Sequence, residues 1–186
     1  MRPNLALVAM LVGCQRTPED FGRAATSASP NGTVTIQANS EGRMPTIVQS
    51  CPADPEPGLR ALPTVSINFP EATDRVGPVT AELARGDHDT TRGLMYRTSM
   101  PVDHGMLFDL PRADHNFWMH NTCIPLDLLF IDADRIVGIV ENAPTLNDDP
   151  RGVGALSSFV LELNGGWCKH HGVRVGQRVV VGPLPR

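Results

Sequence analysis

Aromatic residues are scarce in this chain of 186 residues: two Trp, one Tyr and six Phe amount to 5%. A core must then be mainly aliphatic, and an apolar content of 41% supplies one domain and hardly two. An excess of basic charge is also missing. Sixteen Lys and Arg stand against twenty Asp and Glu, for a net charge of -4, and the basic residues are scattered, so nucleic acid is not an expected partner. No apolar run approaches the about 20 residues that span a bilayer as a helix. Nor is there a Gly-rich phosphate loop, a Ser elbow or a His-Glu-x-x-His helix, which sets aside the signatures of the common kinases and hydrolases.

Gly and Pro, by contrast, are plentiful at seventeen each. Each costs a helix interior roughly 1 to 3 kcal/mol, so short strands joined by turns fit better than a helical bundle. At the N-terminus, MRPNLALVAMLVGC sets one basic residue before the apolar stretch 5–12 and ends Val12-Gly13-Cys14. The stretch is too short to span a membrane but suits the apolar part of an export signal. It resembles a bacterial lipoprotein signal, with a Leu-Val-Gly-Cys lipobox. That resemblance implies cleavage after Gly13, lipidation of Cys14 and an exported, lipid-anchored protein. In a Gram-negative cell, Gln15 after the Cys implies sorting to the outer membrane, facing the periplasm.

The expected organisation is a signal peptide over 1–13, a flexible tether over 14–60 and a folded domain over 61–186. The tether is rich in Pro, Ser, Thr, Gly and Asn with a single Phe, too little apolar area to offset its ordering entropy. Within it, only 33–37 reads weakly as a strand. From Leu62 onward, Val65, Ile67 and Phe69 alternate with Thr64, Ser66 and Asn68, the period of a half-buried strand. Further strands are expected at 79–83, 105–110, 117–122, 124–131, 136–140, 159–163 and 177–181. One short helix is expected over 87–100, another turn of helix at 165–172, and a turn at 132–135. The fold class is mainly β: an antiparallel sandwich or barrel with two short helices.

Several motifs follow one another along the chain: RGLMYR (Gly93, Leu94, Met95, Arg97), GMLF (105–108), FWMHNT (Phe117, Trp118, Met119, Asn121, Thr122) and IPLDLLFID (Ile124 to Asp132). Glu141-Asn142-Ala143, Val160-Leu161-Glu162, Gly172 and Gly176 complete them. Over about 65–181 the chain resembles the domain-of-unknown-function family 192, an uncharacterised prokaryotic family. The resemblance implies a compact, mainly β domain, often exported, and supplies no catalytic residue. His120 stands where Lys is common in the family, and Cys123 where an aliphatic residue is common.

Asp127 draws notice because Leu126, Leu128, Leu129, Phe130 and Ile131 crowd it. A buried carboxylate must be paired, hydrogen-bonded or placed in a wet cleft. The structural reading is an ion pair with Arg92 or Arg97, or bonds to backbone amides. The functional reading is a ligand-binding or acid–base carboxylate. Pro125 predicts an edge or a bulge near 123–126, and bulges often border binding sites. Trp118, His120, Asn121, Asp127, Arg97 and Glu141 are therefore the candidate ligand-binding residues.

Asp132 and Asp134 read as turn residues, since no calcium-loop spacing follows. The six His lack a spacing that shares one face, so neither a metal nor another cofactor is expected. Cys123 with His120 three residues earlier is a weak nucleophile pair, because a strand puts the two on opposite faces. After Cys14, three thiols remain, enough for one disulfide. The sequence leaves the pair open, with Cys123–Cys168 preferred because both lie in the folded part. The expected function is non-catalytic binding of a small ligand or an accessory role with an envelope protein. The alternatives are an enzyme of unrecognised class around Asp127, Asn121 and Trp118, or a structural interaction module.

Overall fold

A computed structural model describes residues 50–186 apart from 59–60 and 74–76, together with the backbone of three strands before them. Those three, β1 (Thr26–Ser29), β2 (Gly32–Gln37) and β3 (Thr46–Gln49), form a small antiparallel sheet; the expected strand at 33–37 is there. The remaining elements are β4 (Thr64–Asn68), β5 (Val79–Ala84), α1 (Gly86–Arg92), β6 (His104–Asp114), β7 (Leu126–Asp132), β8 (Arg135–Ala143), β9 (Leu156–Asn164), α2 (Trp167–His171) and β10 (Val180–Val181). Seven strands make one curled sheet in the order β10-β4-β5-β6-β9-β7-β8. The protein is mainly β with two short helices, a half-barrel.

All neighbours in this sheet are antiparallel except β5 and β6. A parallel pair needs a crossover of a dozen or more residues, and residues 85–103, containing α1, supply it. Beyond the named strands, Arg178 bridges to Arg135, and Val180 and Val181 pair with Asn68 and Ile67. The segment thus touches both ends of the sheet and curls it toward closure.

Burial follows from this curl. One core collects Val65, Ile67, Leu83, Leu107, Leu129, Leu161 and Ile136, residues from β4 at one side to β8 at the other, so it fills the concave side. α2 adds Trp167 and Cys168 to it. A second core, with Met106, Phe108, Leu128, Phe130 and Val160, lies on the opposite face under Leu94, Met119 and Ile124. Strand β7 is consequently buried on both faces, which explains its unbroken apolar run.

Four expectations differ from the structure. Residues 117–122 are not a strand: Phe117 makes one bridge to Arg151, Thr122 N–H turns back to Met119 O, and Asn121 sits at φ 52°. Helix α1 stops at Arg92 because Gly93 follows at φ 49°, where a Cβ would meet the Phe108 ring at 3.1 Å. Of 177–181 only Val180–Val181 is strand. Finally, the disulfide joins Cys51 to Cys123, and Cys168 is free. The preferred Cys123–Cys168 pair is overturned because the sheet stands between them: Cys168 belongs to the concave core, whereas Ile124 beside Cys123 packs on the other face. The register slip between Leu126 and Leu128 lies at the end of the 123–126 stretch where an edge or a bulge is expected, and β7 lies between β9 and β8 rather than at an edge.

Candidate functional site

One row across the sheet organises the face beneath α1. Thr64, Glu82, Met106, Glu162, Leu128 and Val140 are register partners on six neighbouring strands, so all project to the same side. Two carboxyl groups thereby share one face of the sheet, two strand spacings or about 10 Å apart. Arg97, from the turn after α1, binds Glu82 with both ends of its guanidinium, Nη1 to Oε1 at 2.5 Å and Nη2 to Oε2 at 2.7 Å. Those bonds hold Arg97 above its usual pKa range.

Glu162 has no such anchor. It is 4% exposed, and no hydrogen bond or ion pair holds its carboxyl among the described residues. Burial pushes that carboxyl up to about 8, against the pull of the Arg97 charge. In its neighbourhood the 51–58 strap and α1 are tied together. Cys51 bonds Cys123, Asp54 Oδ2 accepts from Arg92 Nη2 at 2.6 Å, and His88 Nε2 lies 3.0 Å from Glu56 Oε2. The Arg92 guanidinium lowers the Asp54 pKa, and the Asp89 and Glu56 carboxylates raise that of His88.

Space opens on this face to either side of α1. A cleft of about 740 Å³ lies among the strap, α1 and the β5–β6 pair, bordered by Glu56, Leu62, Glu82, Arg97, His104 and Met106. A smaller cavity of about 190 Å³ lies on the other side of α1, where Phe108, Phe117, Trp118 and Glu162 meet. Arg92, Gly93 and Met95 border both, so α1 and its turn are the partition. The turn is braced by mutual bonds: Tyr96 N–H donates to Asn121 O, and Asn121 Nδ2 donates to Tyr96 Oη, each at 2.8 Å. Both residues take positive φ, 66° and 52°, so the RGLMYR and FWMHNT motifs lock one another.

The six expected binding residues do not converge. Trp118 borders the small cavity and Arg97 the large cleft. Asn121 braces Tyr96, while His120 bonds Asp148 at 2.7 Å under the exposed Trp118 ring. Glu141 is exposed elsewhere on β8. Asp127 is fully buried, with Oδ1 accepting from Asn142 N–H at 2.7 Å and Gly166 N–H at 2.9 Å, and Oδ2 from Cys168 N–H at 2.8 Å. It caps α2 from a distant strand and ties IPLD, ENA and GGWC together, which is the structural reading through backbone amides. Arg92 and Arg97 pair with other carboxylates.

Glu82 and Glu162 are the residues missing from the sequence-based set. The signal that pointed to Asp127, a carboxylate inside an apolar run, is equally present in Val-Leu-Glu162-Leu and Ala-Glu82-Leu. Among the described residues, no group of three or more His, Cys, Asp or Glu side chains is placed to hold a metal.

The family profile DUF192, described as "Uncharacterized ACR", matches residues 70–181. The chain belongs to the DUF192 family. Its DUF192 domain is similar to a crystal structure of a candidate transcription regulator from Sinorhizobium meliloti 1021, 36% identical, covering 67% of this chain and 98% of that one, with a TM-score of 0.63. It is also similar to a protein of unknown function from Novosphingobium aromaticivorans DSM 12444, 26% identical, covering 90% and 99%, with a TM-score of 0.55. No curated protein matches the DUF192 chain at a significant level. In physical terms, the motifs that mark the domain are the two locks described above, around Asp127 and around Tyr96 with Asn121.

Proposed function

We propose that this chain is an exported, lipid-anchored binding domain that holds a small polar molecule in the large cleft without transforming it. The observation that carries the reading is the cleft's prearranged polar wall. Arg97–Glu82, Arg92–Asp54 and His88–Glu56 are each paired across elements, so donors and acceptors stand in fixed positions before a ligand arrives. Two groups considered for chemistry are engaged otherwise: Asp127 by three amides and Cys123 by its disulfide. The regulator role named for the Sinorhizobium protein is not carried over, because the net charge is -4 and the helices of the described residues have only 7 and 5 residues. The lipobox ending at Cys14 supports the anchor.

A thermal-shift screen of small polar metabolites on the full chain tests the binding reading. A hit that raises the melting temperature, and that fails to do so in Arg97→Gln, is expected; a broad library without any hit would overturn it. For the anchor, Cys14→Ser should move the protein from the membrane to the soluble fraction. Unaltered membrane association would remove that part of the proposal.

A further inference from the structure

The small cavity stands apart from the cleft and has its own chemistry. Its charged lining residues are Arg92 and Glu162. Arg92 is bound to Asp54, and Arg97, the other cation near Glu162, is bound to Glu82. From the strands beside it Glu162 meets Met106 and Leu128, and the 116–122 loop offers Asn116, Phe117, Trp118 and Thr122. The carboxyl therefore faces a space bordered by three aromatic rings, with every nearby cation already committed. We propose that this cavity is a binding site for the ammonium head of a small alkylamine, with Glu162 as its counter-ion and Phe108, Phe117 and Trp118 around its methylenes.

The match is one of charge and surface. A buried carboxylate lacking partners is costly, and an arriving cation with N–H donors satisfies it. Aromatic rings attract the same cation through their negative faces and cover its apolar chain. The volume equals the liquid volume of roughly six waters, enough for a short alkylamine. Because burial pushes Glu162 up to about 8, the empty site holds a proton at neutral pH that the ammonium group displaces.

Titration of the full chain with n-butylammonium, followed by NMR at the Trp118 indole, tests this. Saturable binding is expected, with 1-pentanol and the Glu162→Gln variant each weaker by about tenfold or more. Trp118→Ala removes a side chain that is 51% exposed, so the fold should survive, and it too should weaken binding. No saturable binding, equal binding of pentanol, or full affinity in Trp118→Ala and in a normally melting Glu162→Gln would overturn the proposal. If Nα-acetyl-lysine amide, whose ε-ammonium is free, binds more tightly than n-butylammonium, the amine is a polypeptide's lysine; if more weakly, it is a free amine. The cleft reading is independent, since its hits are scored in Arg97→Gln.

Discussion

Asp127 Oδ2 accepts the backbone N–H of Cys168 at 2.8 Å, joining residues 41 positions apart. With the two amides on Oδ1, this carboxylate fixes α2 against β7 and β8. Asp127→Asn keeps the shape but turns one acceptor into a donor that faces an N–H. The variant should lose about 2 to 4 kcal/mol in chemical denaturation. A loss below experimental error would deny the hub role.

Reduction of Cys51–Cys123 opens a loop of sequence separation 72. Loop entropy predicts a loss of about 4 kcal/mol. The 51–58 strap should become sensitive to protease while the sheet stays protected. Cys51→Ser with Cys123→Ser should show the same stability with and without reductant.

Glu162 makes stability depend on pH in the direction opposite to most paired carboxylates. Its folded pKa of about 8 lies above the reference 4.5, so between those values the folded state binds more protons than the unfolded state. Stability then falls as pH rises from 4.5 to 8, by up to about 1.4 kcal/mol per pH unit, and levels off above. Glu162→Gln should flatten that slope in denaturation curves recorded at several pH values. An identical slope in the variant would contradict the assignment.

Gly105 lets β6 and β9 approach closely: an added Cβ would stand 2.4 Å from Glu162 O and 2.7 Å from Leu163 Cδ2. Gly105→Ala should cost about 1 to 3 kcal/mol, read from its melting curve. Gly77→Ala, with nothing within 4 Å, is the neutral control.

Strands with clean alternation, such as the one holding Val65 and Ile67, were readable because one face is core and the other is wet. The 117–122 segment misled because its apolar residues serve turns: Asn121 at positive φ breaks the extension that Phe117 and Met119 imitate. Crowding around Asp127 correctly signalled burial, but amide partners come from residues far along the chain and leave no local trace. Glu162 carried the same crowding signal. What set it apart, a row shared with Glu82 across three strands, exists only once the register is formed. Cys51 likewise looked remote because composition describes a segment's own surface, not the partner it meets.

The pairing of Val180 with Asn68 also sets a schedule. Strand β4 waits for a neighbour 112 positions downstream, the last of the named strands. Until Val180 and Val181 dock, the outer edge of β4 is a bare ladder of amides and carbonyls, open to any foreign strand.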